Sequence, residues 1–436
     1  MLKREIGKWD LVLFMINSLI GAGIFGLPSK IYALSGWYSI PALFITAAIV
    51  LILVLNFAEV GSRFTKTGGP YLYTLEAFGK FPAFLMGWLL LITRLATYAA
   101  LINILPSYLS FFYPELGNFV WKTIIIFLIT LFFTVINYRG VRNSTHWNNG
   151  LAVGKLIPLA IFIIVGLFFI QSDNIQIPKE IPEISGFSQS VFLLIFAFTG
   201  FEAIIVSTGE IKNPRKNIPF GLIFSLLVVS LFYGLIQFVS IGTLTNLAQS
   251  DKPLVEAAYL FMGNSGAVFI TIGALISVSG TLNTVMFIGG RIPFALADEK
   301  QLPSFFAKIH SKFSTPTRSL ILFAVLAFLV SISGTFIYAI TISVISKVMI
   351  FLIVSAALLR LRFKMKDQKD FFKLRYGKIL AWTGITLSII LLTTSKIEEF
   401  RDVAITLLVG VGIYLLNELG KAMRKPRRHQ DMEKQN

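Results

Sequence analysis

The stretch Ile20–Pro28, near the middle of the first apolar segment, has the residue types and spacing that are most informative about chemistry. It contains three glycines and a proline, at Gly21, Gly23, Gly26 and Pro28. Glycine tolerates irregular backbone, and an interior proline removes a hydrogen-bond donor and clashes with the preceding turn. A helix broken inside hydrocarbon exposes N–H and C=O groups, which are tolerated only where they are buried in protein or line a polar cavity. The stretch therefore predicts a binding site built from backbone atoms.

A second candidate break lies at Phe196–Glu202, in the sixth apolar segment. Gly200 alone is a weak helix breaker, but Glu202 places a carboxylate at membrane depth, where it needs a proton or a partner. For either break alone, close helix packing through small residues is an equally good explanation. Interruptions at corresponding places in two halves of opposite orientation, however, are typical of a secondary transporter site near the midplane. Together the two breaks favour transport.

Four basic residues lie inside predicted spans: Arg94, Lys155, Arg291 and Lys347. Intramembrane charges are costly and usually face protein or a water-filled interior. Arg94 and Lys347 lie roughly 18–21 Å along their helices at the α-helical rise, and each needs a carboxylate or carbonyl partner, for transport or for structural pairing. Arg291 lies near a cytoplasmic end, where its head group could snorkel to water in a structural role. For Lys155, position alone leaves snorkelling and function open.

The chain as a whole has the composition of a multi-pass membrane protein. Of its 436 residues, 55% are hydrophobic and 14% are charged, and the mean hydropathy is +0.76. Apolar segments of roughly 20 residues, enough to cross a bilayer, recur from end to end. We predict an all-α protein with twelve transmembrane helices, centred near Leu19, Ile49, Leu95, Leu128, Ile161, Phe198, Leu231, Leu282, Leu326, Ile350, Leu387 and Val409.

Several classes of chemistry are excluded by residue content. The chain has no cysteine, so it has neither a disulfide framework nor thiol catalysis. Its three histidines, His146, His310 and His429, fall in loops or the tail and are far apart in sequence. The spans contain no paired carboxylates, no nucleophile with a base and no phosphate-binding loop. We therefore expect a protein that is not an enzyme and that has no metal site and no cofactor.

The net charge of +17 is distributed as in a membrane protein. When the 39 Lys and Arg residues are assigned alternately to the two sides, about 29 fall on the side shared with both termini and about six on the other. This positive-inside bias predicts a cell-membrane protein with both termini cytoplasmic. Basic residues scattered among membrane loops argue against a nucleic-acid partner. Membrane lipid is expected around the chain, and the loop Arg360–Lys378 could contact anionic lipid or simply orient the protein.

The chain resembles the amino acid–polyamine–organocation (APC) transporters over nearly its whole length. The matching motifs, in chain order, are Gly21–Phe25, Glu59 with Gly68–Tyr71, Phe196–Glu202, Glu210–Pro214, Asn217–Pro219, and Arg291 with Leu302–Pro303. Single motifs are degenerate, but their order and spacing are specific. The resemblance implies a LeuT-like fold in which two inverted repeats of five helices have broken first members. The repeats would span 9–171 and 188–362, followed by two helices in 375–424, with cytoplasmic segments at 1–8 and 425–436.

The two breaks suit the two charged groups of an α-amino acid. A new half-helix exposes free N–H groups and the positive end of its dipole, which suit a carboxylate, while the carbonyl ends of the cut half-helices suit an ammonium. By the resemblance, the N–H groups of Ala22 and Gly23 would bind the carboxylate with help from Ser18. The amine would be bound by the carbonyls of Leu19, Phe196, Ala197 and Thr199. The implied substrate-binding residues are Ser18, Leu19, Ala22, Gly23, Ile24, Phe196, Ala197 and Thr199.

Phe196 matches the aromatic lid of the family and is the predicted gate, although ordinary apolar packing is the alternative among 41 phenylalanines. A phenylalanine is a weaker cation–π partner than a tryptophan, which disfavours arginine or agmatine as the substrate. Contacts with the substrate side chain would come from the third, eighth and tenth spans, for which we suggest Thr97, Val278 and Ser346.

Lys155 matches a fifth-helix lysine that, in proton-coupled members of the family, takes the place of a sodium ion between the first and eighth helices. Because burial disfavours the charged form of a lysine, Lys155 could exchange a proton during the cycle, holding carbonyls near Gly21 when charged. Glu202 is the rival proton site, with a structural role as its alternative. The proton is thus the expected coupling ion.

Three functions remain open from the sequence. The first is proton-coupled symport of neutral L-amino acids. The second is exchange of amino acids or polyamines, which shares the fold and most motifs. A channel or membrane enzyme is a distant third. In each of the first two cases the partner is a small amino acid substrate, and no obligatory protein partner is indicated.

Overall fold

The computed structural model describes residues 2–103, 105–106, 113–175, 184–333, 336–365, 370–393 and 397–424. In these ranges the chain is helical, and the single β pairing is an isolated parallel bridge between Ile6 and Ile211. The α-helices are α1 (Lys8–Leu19), α2 (Leu27–Ser35), α3 (Ser39–Ser62), α4 (Pro70–Phe78), α5 (Lys80–Ile102), α6 (Phe119–Tyr138), α7 (Val141–Gly166), α8 (Ile184–Ala197), α9 (Pro214–Thr243), α10 (Pro253–Gly289), α11 (Arg291–Asp298), α12 (Thr317–Ile332), α13 (Phe336–Lys364), α14 (Gly377–Thr393) and α15 (Ile397–Arg424).

Helix boundaries follow local sequence. Prolines occupy the first turn of α2, α4, α9 and α10, where a missing N–H costs nothing because that group has no acceptor within the helix. The Asn118 side chain caps α6 by accepting the Trp121 N–H at 3.1 Å. Asp10 accepts the N–H of Gly7 at 2.8 Å, which fixes the start of α1. Gly79, at φ +92°, separates α4 from α5 in a conformation that favours glycine.

The protein is a multi-pass membrane protein. In the described ranges, seven helical stretches are long and apolar enough to cross a membrane, and three shorter apolar helices have 10–17 residues. The 12-residue α1 and the 14-residue α8 are each too short to cross a membrane alone, because each ends at a break. Helices occupy the neighbourhood of all twelve predicted centres. The number of true spans, the inverted repeats and their boundaries stay predictions, and residues 425–436 lie outside the described part.

The core forms around α1, which packs against α7, α9 and α10. Outside this group, α3 packs along α9 and α13 packs along α5 and α14. Glu59 ties α3 to α13 and to the segment before α14: its fully buried carboxylate accepts hydrogen bonds from Arg63, from Arg362 and from the Leu374 N–H. Apolar side chains of α6 such as Phe127 and Leu128 are exposed, as expected of a surface that faces lipid. This arrangement places the broken end of α1 at the centre of the molecule.

Candidate functional site

The first break is confirmed in the backbone. Helix α1 ends at Leu19, and Ile20 and Gly21 are extended, with φ/ψ of −81°/93° and −97°/−157°. A short 3-10 turn follows over Ala22–Phe25, and α2 begins at Leu27. The chain therefore runs as two half-helices joined by irregular backbone at the predicted place.

Open space lies beside this break. A Cβ atom built on Gly21, Gly23 or Gly26 would meet no heavy atom within 4 Å, and Gly23 is exposed although it lies between buried segments. The N–H groups of Ala22 and Gly23 begin the 3-10 turn, where N–H groups have no acceptor inside the turn. The break therefore offers backbone donors next to a cavity. The side chain of Ala22 lies outside the described part of the chain.

The second break touches the first. Helix α8 ends at Ala197, and Gly200 adopts φ +122°, a conformation that favours glycine. A Cβ on Gly200 would overlap the carbonyl oxygen of Ser18. The two interruptions are therefore in direct backbone contact, and a glycine at position 200 is what permits it.

Tyr233 of α9 was not predicted, and its hydroxyl lies at both carbonyl ends. Its oxygen is 3.1 Å from the Leu19 carbonyl oxygen and 3.4 Å from that of Ala197. A hydroxyl carries one proton and can donate to only one of them at a time. The Leu19 oxygen also accepts the Gly21 N–H at 3.1 Å, so both of its lone pairs can be occupied. The role expected of Leu19 in binding an amine would require Tyr233 or Gly21 to release it.

Lys155 of α7 reaches the first break. Its Nζ donates to the carbonyl oxygens of Asn17 at 3.2 Å, Ile20 at 2.5 Å and Ser277 at 3.3 Å. The lysine is fully buried. The Ser277 hydroxyl of α10 lies 3.2 Å from the carbonyl oxygens of Ile20 and Gly21. Lys155 and Ser277 therefore hold the carbonyl end of α1 from two sides.

Asn17 strengthens the same contact and was also missed. Its carbonyl accepts the Thr281 hydroxyl at 3.0 Å, and its side-chain amide donates to Asn148 Oδ1 at 2.8 Å. Thr284 donates to the same Asn148 oxygen at 2.9 Å. Since Asn148 lies on the helix of Lys155, α7 contacts the end of α1 through two side chains. No sequence signal distinguished these short polar residues from others in apolar helices.

Glu202 has partners for both carboxylate oxygens. Its Oε1 accepts Arg94 Nη2 of α5 at 2.8 Å, and its Oε2 accepts the Gly200 N–H at 2.8 Å. The side chains of Arg94 and Glu202 are both buried. Lys347 of α13 donates to the Thr199 hydroxyl at 3.2 Å. Arg94 and Lys347 thus find partners on the second break, which the sequence left unassigned.

The remaining predicted residues are placed as follows. Ile24 and Val278 are buried, Ser18 is partly exposed, and the Thr97 hydroxyl is 3.3 Å from that of Ser343. Ser346 is buried, and its hydroxyl has no partner in the part of the chain that the structure describes. The side chain of Phe196 lies outside the described residues, so its role as a gate stays a prediction.

Arg291 does not snorkel, which corrects the expectation from its position. Its Nε and Nη2 bind the two carboxylate oxygens of Glu210 at 3.1 and 3.0 Å, and both side chains are 0% exposed. The Glu210 carbonyl in turn accepts the N–H groups of Glu5 and Ile6 at 3.0 Å. The pair therefore holds the segment after the second break between α11 and the residues before α1. Helix distance from the interface alone could not reveal that a buried carboxylate was available.

Replacing Arg291 by alanine is expected to destabilise the protein by about 3–5 kcal/mol, because it leaves the Glu210 carboxylate buried without its partner. The apparent melting temperature of the detergent-purified protein measures this. Arg142→Ala, at an exposed arginine, is the matched control. The double variant with Met at positions 210 and 291 should recover part of the loss, since no charge is then left unpaired. An unchanged melting temperature of Arg291→Ala would contradict the interpretation.

Comparisons with known proteins identify the family of the chain. The family described as "Amino acid permease" matches residues 6–410. The branched-chain amino acid permease BcaP of Bacillus subtilis is 26% identical over 434 residues, 95% of this chain and 93% of the relative. The serine/threonine exchanger SteT of the same organism is 28% identical over 424 residues, 94% and 95%. The b(0,+)-type amino acid transporter 1 of Mus musculus is 27% identical over 346 residues, 76% and 71%.

These matches have one conclusion in common. The family match covers all but the first five and the last 26 residues of the chain, and includes both breaks, Lys155 and Glu202. The two bacterial relatives extend over almost the same length as the chain. The chain therefore belongs to the amino acid permease family within the APC superfamily, and it is a membrane transporter and not an enzyme.

Proposed function

We propose that the protein is a secondary active transporter that moves neutral L-amino acids together with protons by alternating access, in the cell membrane with both termini cytoplasmic. The observation that carries the proposal is the open space beside Gly21, Gly23 and Gly26 at the end of α1, a helix that is itself in backbone contact with the second break at Gly200. Two broken helices that meet at a cavity supply both signs of backbone partial charge in one place. A small zwitterion is the ligand that matches them.

The substrate carboxylate binds at the start of the 3-10 turn. The N–H groups of Ala22 and Gly23 have no acceptors within that turn. Ser18, four residues before Ala22, is partly exposed and supplies a hydroxyl to the same carboxylate. The substrate ammonium binds carbonyl oxygens of the second break, at Ala197 and Thr199. Leu19 contributes only when Tyr233 or Gly21 releases it, because those two groups can occupy both lone pairs of the Leu19 oxygen.

Lys155 is the proposed proton carrier. Charged, it binds the carbonyls of Asn17, Ile20 and Ser277 and holds the end of α1 against α7 and α10. When Lys155 is neutral, its amine is a weaker hydrogen-bond donor and the end of α1 is held less firmly. Helix α1, the cytoplasmic half of the first span, can then move. Proton loss would thus be coupled to opening toward the cytoplasm, which is the order that a symporter needs.

Glu202 has a different proposed role. Its carboxylate oxygens accept from Arg94 and from the Gly200 N–H, and both contacts favour the ionised form. A group held in one protonation state is a poor proton carrier. We therefore assign Glu202 to holding the second break in shape.

Amino acid exchange is the second candidate, and the 28% identity to a serine/threonine exchanger over 94% of the chain favours it. Purified protein in liposomes distinguishes the two. A symporter accumulates radiolabelled amino acid into empty liposomes when the external pH is lower than the internal pH, and a sodium gradient does not replace the pH gradient. An exchanger accumulates label only when unlabelled amino acid is inside. Labelled threonine and leucine, each competed against all twenty amino acids, cover the substrate range.

A further inference from the structure

Lys347 has a charge that no carboxylate of the described residues neutralises directly. Lys347 lies in the middle of α13, and its ammonium contacts the Thr199 hydroxyl at 3.2 Å. None of the ion pairs formed within the described ranges includes it. A lysine ammonium has three donors, so two remain beyond Thr199. The side chain is partly exposed, although Ile345, Ser346 and Val348 around it are buried. The ammonium therefore lies at the second break with donors that no residue of the described ranges takes up.

The nearby carboxylate is already used. Glu202 is the anion that acts electrostatically on Lys347, but its Oε1 binds Arg94 and its Oε2 binds the Gly200 N–H. With both cations charged, Arg94, Lys347 and Glu202 sum to +1. Charges inside a membrane protein are costly unless they are paired or serve a ligand. The excess is thus one positive charge at the second break.

Two serines of α13 add hydroxyl groups close to Lys347 in the chain. Ser346 is fully buried, and its hydroxyl has no partner within the described part of the chain. One turn earlier, the Ser343 hydroxyl of α13 lies 3.3 Å from the Thr97 hydroxyl of α5. Buried hydroxyls without partners cost free energy unless water or a ligand satisfies them. A cationic donor and one unsatisfied hydroxyl together describe a subsite that takes oxygen acceptors.

We propose that Lys347, with Thr199, is the specificity-determining contact for the substrate side chain, and that it selects amino acids whose side chain carries an oxygen acceptor. Serine, threonine and asparagine are the class, and lysine and arginine are excluded because a second cation would meet the +1 charge. The proposal rests on the proposed transport of amino acids. It deepens that proposal by naming what the pocket recognises beyond the α-carbon groups.

Threonine and valine give the sharpest comparison, because they have nearly the same shape and differ by a hydroxyl in place of a methyl group. A hydrogen bond to a charged partner discriminates by about tenfold to a hundredfold. We expect threonine to inhibit uptake of labelled serine at a concentration at least about tenfold lower than valine. Equal inhibition by the two, or stronger inhibition by valine, would overturn the proposal.

The variant Lys347→Met keeps the length of the side chain and removes its charge. It is expected to bring the threonine-to-valine ratio close to one and to admit lysine as an inhibitor, while Lys378→Met, at an exposed lysine, leaves the ratio unchanged. A Lys347→Met protein that transports with the wild-type ratio would refute the assignment. If Lys347→Met does not fold, the threonine-to-valine ratio of Thr199→Val is measured instead and should also fall close to one. In addition, threonine should raise the melting temperature of the wild type more than valine does, and equal shifts would refute the assignment.

The two proposals fail in different ways. If the wild type binds and transports no amino acid, the transport proposal fails and this one fails with it. If the wild type transports amino acids but prefers valine to threonine, only the assignment of Lys347 is wrong.

Discussion

Lys155→Ala is expected to lower proton-driven amino acid uptake by at least about tenfold while the protein still folds. The ammonium makes three hydrogen bonds to carbonyls at the end of α1 and across to α10, and a hydrogen bond to a charged group contributes about 1.5–3 kcal/mol. The Ile20 oxygen keeps the Ser277 hydroxyl as a donor after the substitution. The fold therefore survives, but the end of α1 loses the contact whose strength depends on a proton.

The dependence of uptake on external pH tests the proposed role of Lys155. In the wild type, uptake should rise as the external pH falls below the internal pH, because protonation restores the contact of Lys155 with α1. The Lys155→Ala profile should be flat, and the profile of Lys378→Ala, an exposed lysine, should match the wild type. Glu202→Gln should keep the slope and lower the melting temperature. If Glu202→Gln flattened the profile and Lys155→Ala did not, the proton would belong to Glu202.

The sequence was sufficient for features that depend on backbone chemistry. Three glycines and a proline within nine residues predicted the break between α1 and α2, because few other structures accommodate them inside an apolar segment. Family register then placed Lys155 near the carbonyls of that break, and its Nζ contacts Ile20. The break could be predicted because a conformational preference is local in the chain, whereas the contact of Lys155, 135 positions from Ile20, came from the family resemblance.

Contacts between distant segments that the resemblance did not indicate could not be predicted from the sequence. Arg94 and Glu202 are 108 positions apart, and Arg291 and Glu210 are 81 apart, so nothing local indicated which charge pairs with which. Tyr233 resembles any aromatic residue in an apolar helix until the fold brings its hydroxyl to Leu19 and Ala197. Position along a helix also misjudged Arg291, because snorkelling competes with a partner that only the tertiary structure supplies.

Gly200→Ala is expected to separate the two breaks and to abolish specific substrate binding. At φ +122° a residue with a Cβ is strained by about 1–3 kcal/mol, and this Cβ would also overlap the Ser18 carbonyl oxygen. That oxygen belongs to backbone, which cannot rotate away as a side chain does. The strain is relieved only if α1 and the second break move apart. Because Glu202 is also bound to Arg94 of α5, the same movement strains the contact between its carboxylate and the Gly200 N–H.

The matched control is Gly412→Ala in α15, where a Cβ would meet no heavy atom within 4 Å and alanine favours the helix by about 1 kcal/mol. Gly412→Ala should melt at or above the wild-type temperature and transport normally. Gly200→Ala should melt lower, and added threonine should no longer raise its melting temperature. The second measurement is decisive, because strain alone lowers stability without removing a ligand shift. A Gly200→Ala protein with a full threonine shift would mean that the contact between the breaks is packing and that the site lies elsewhere.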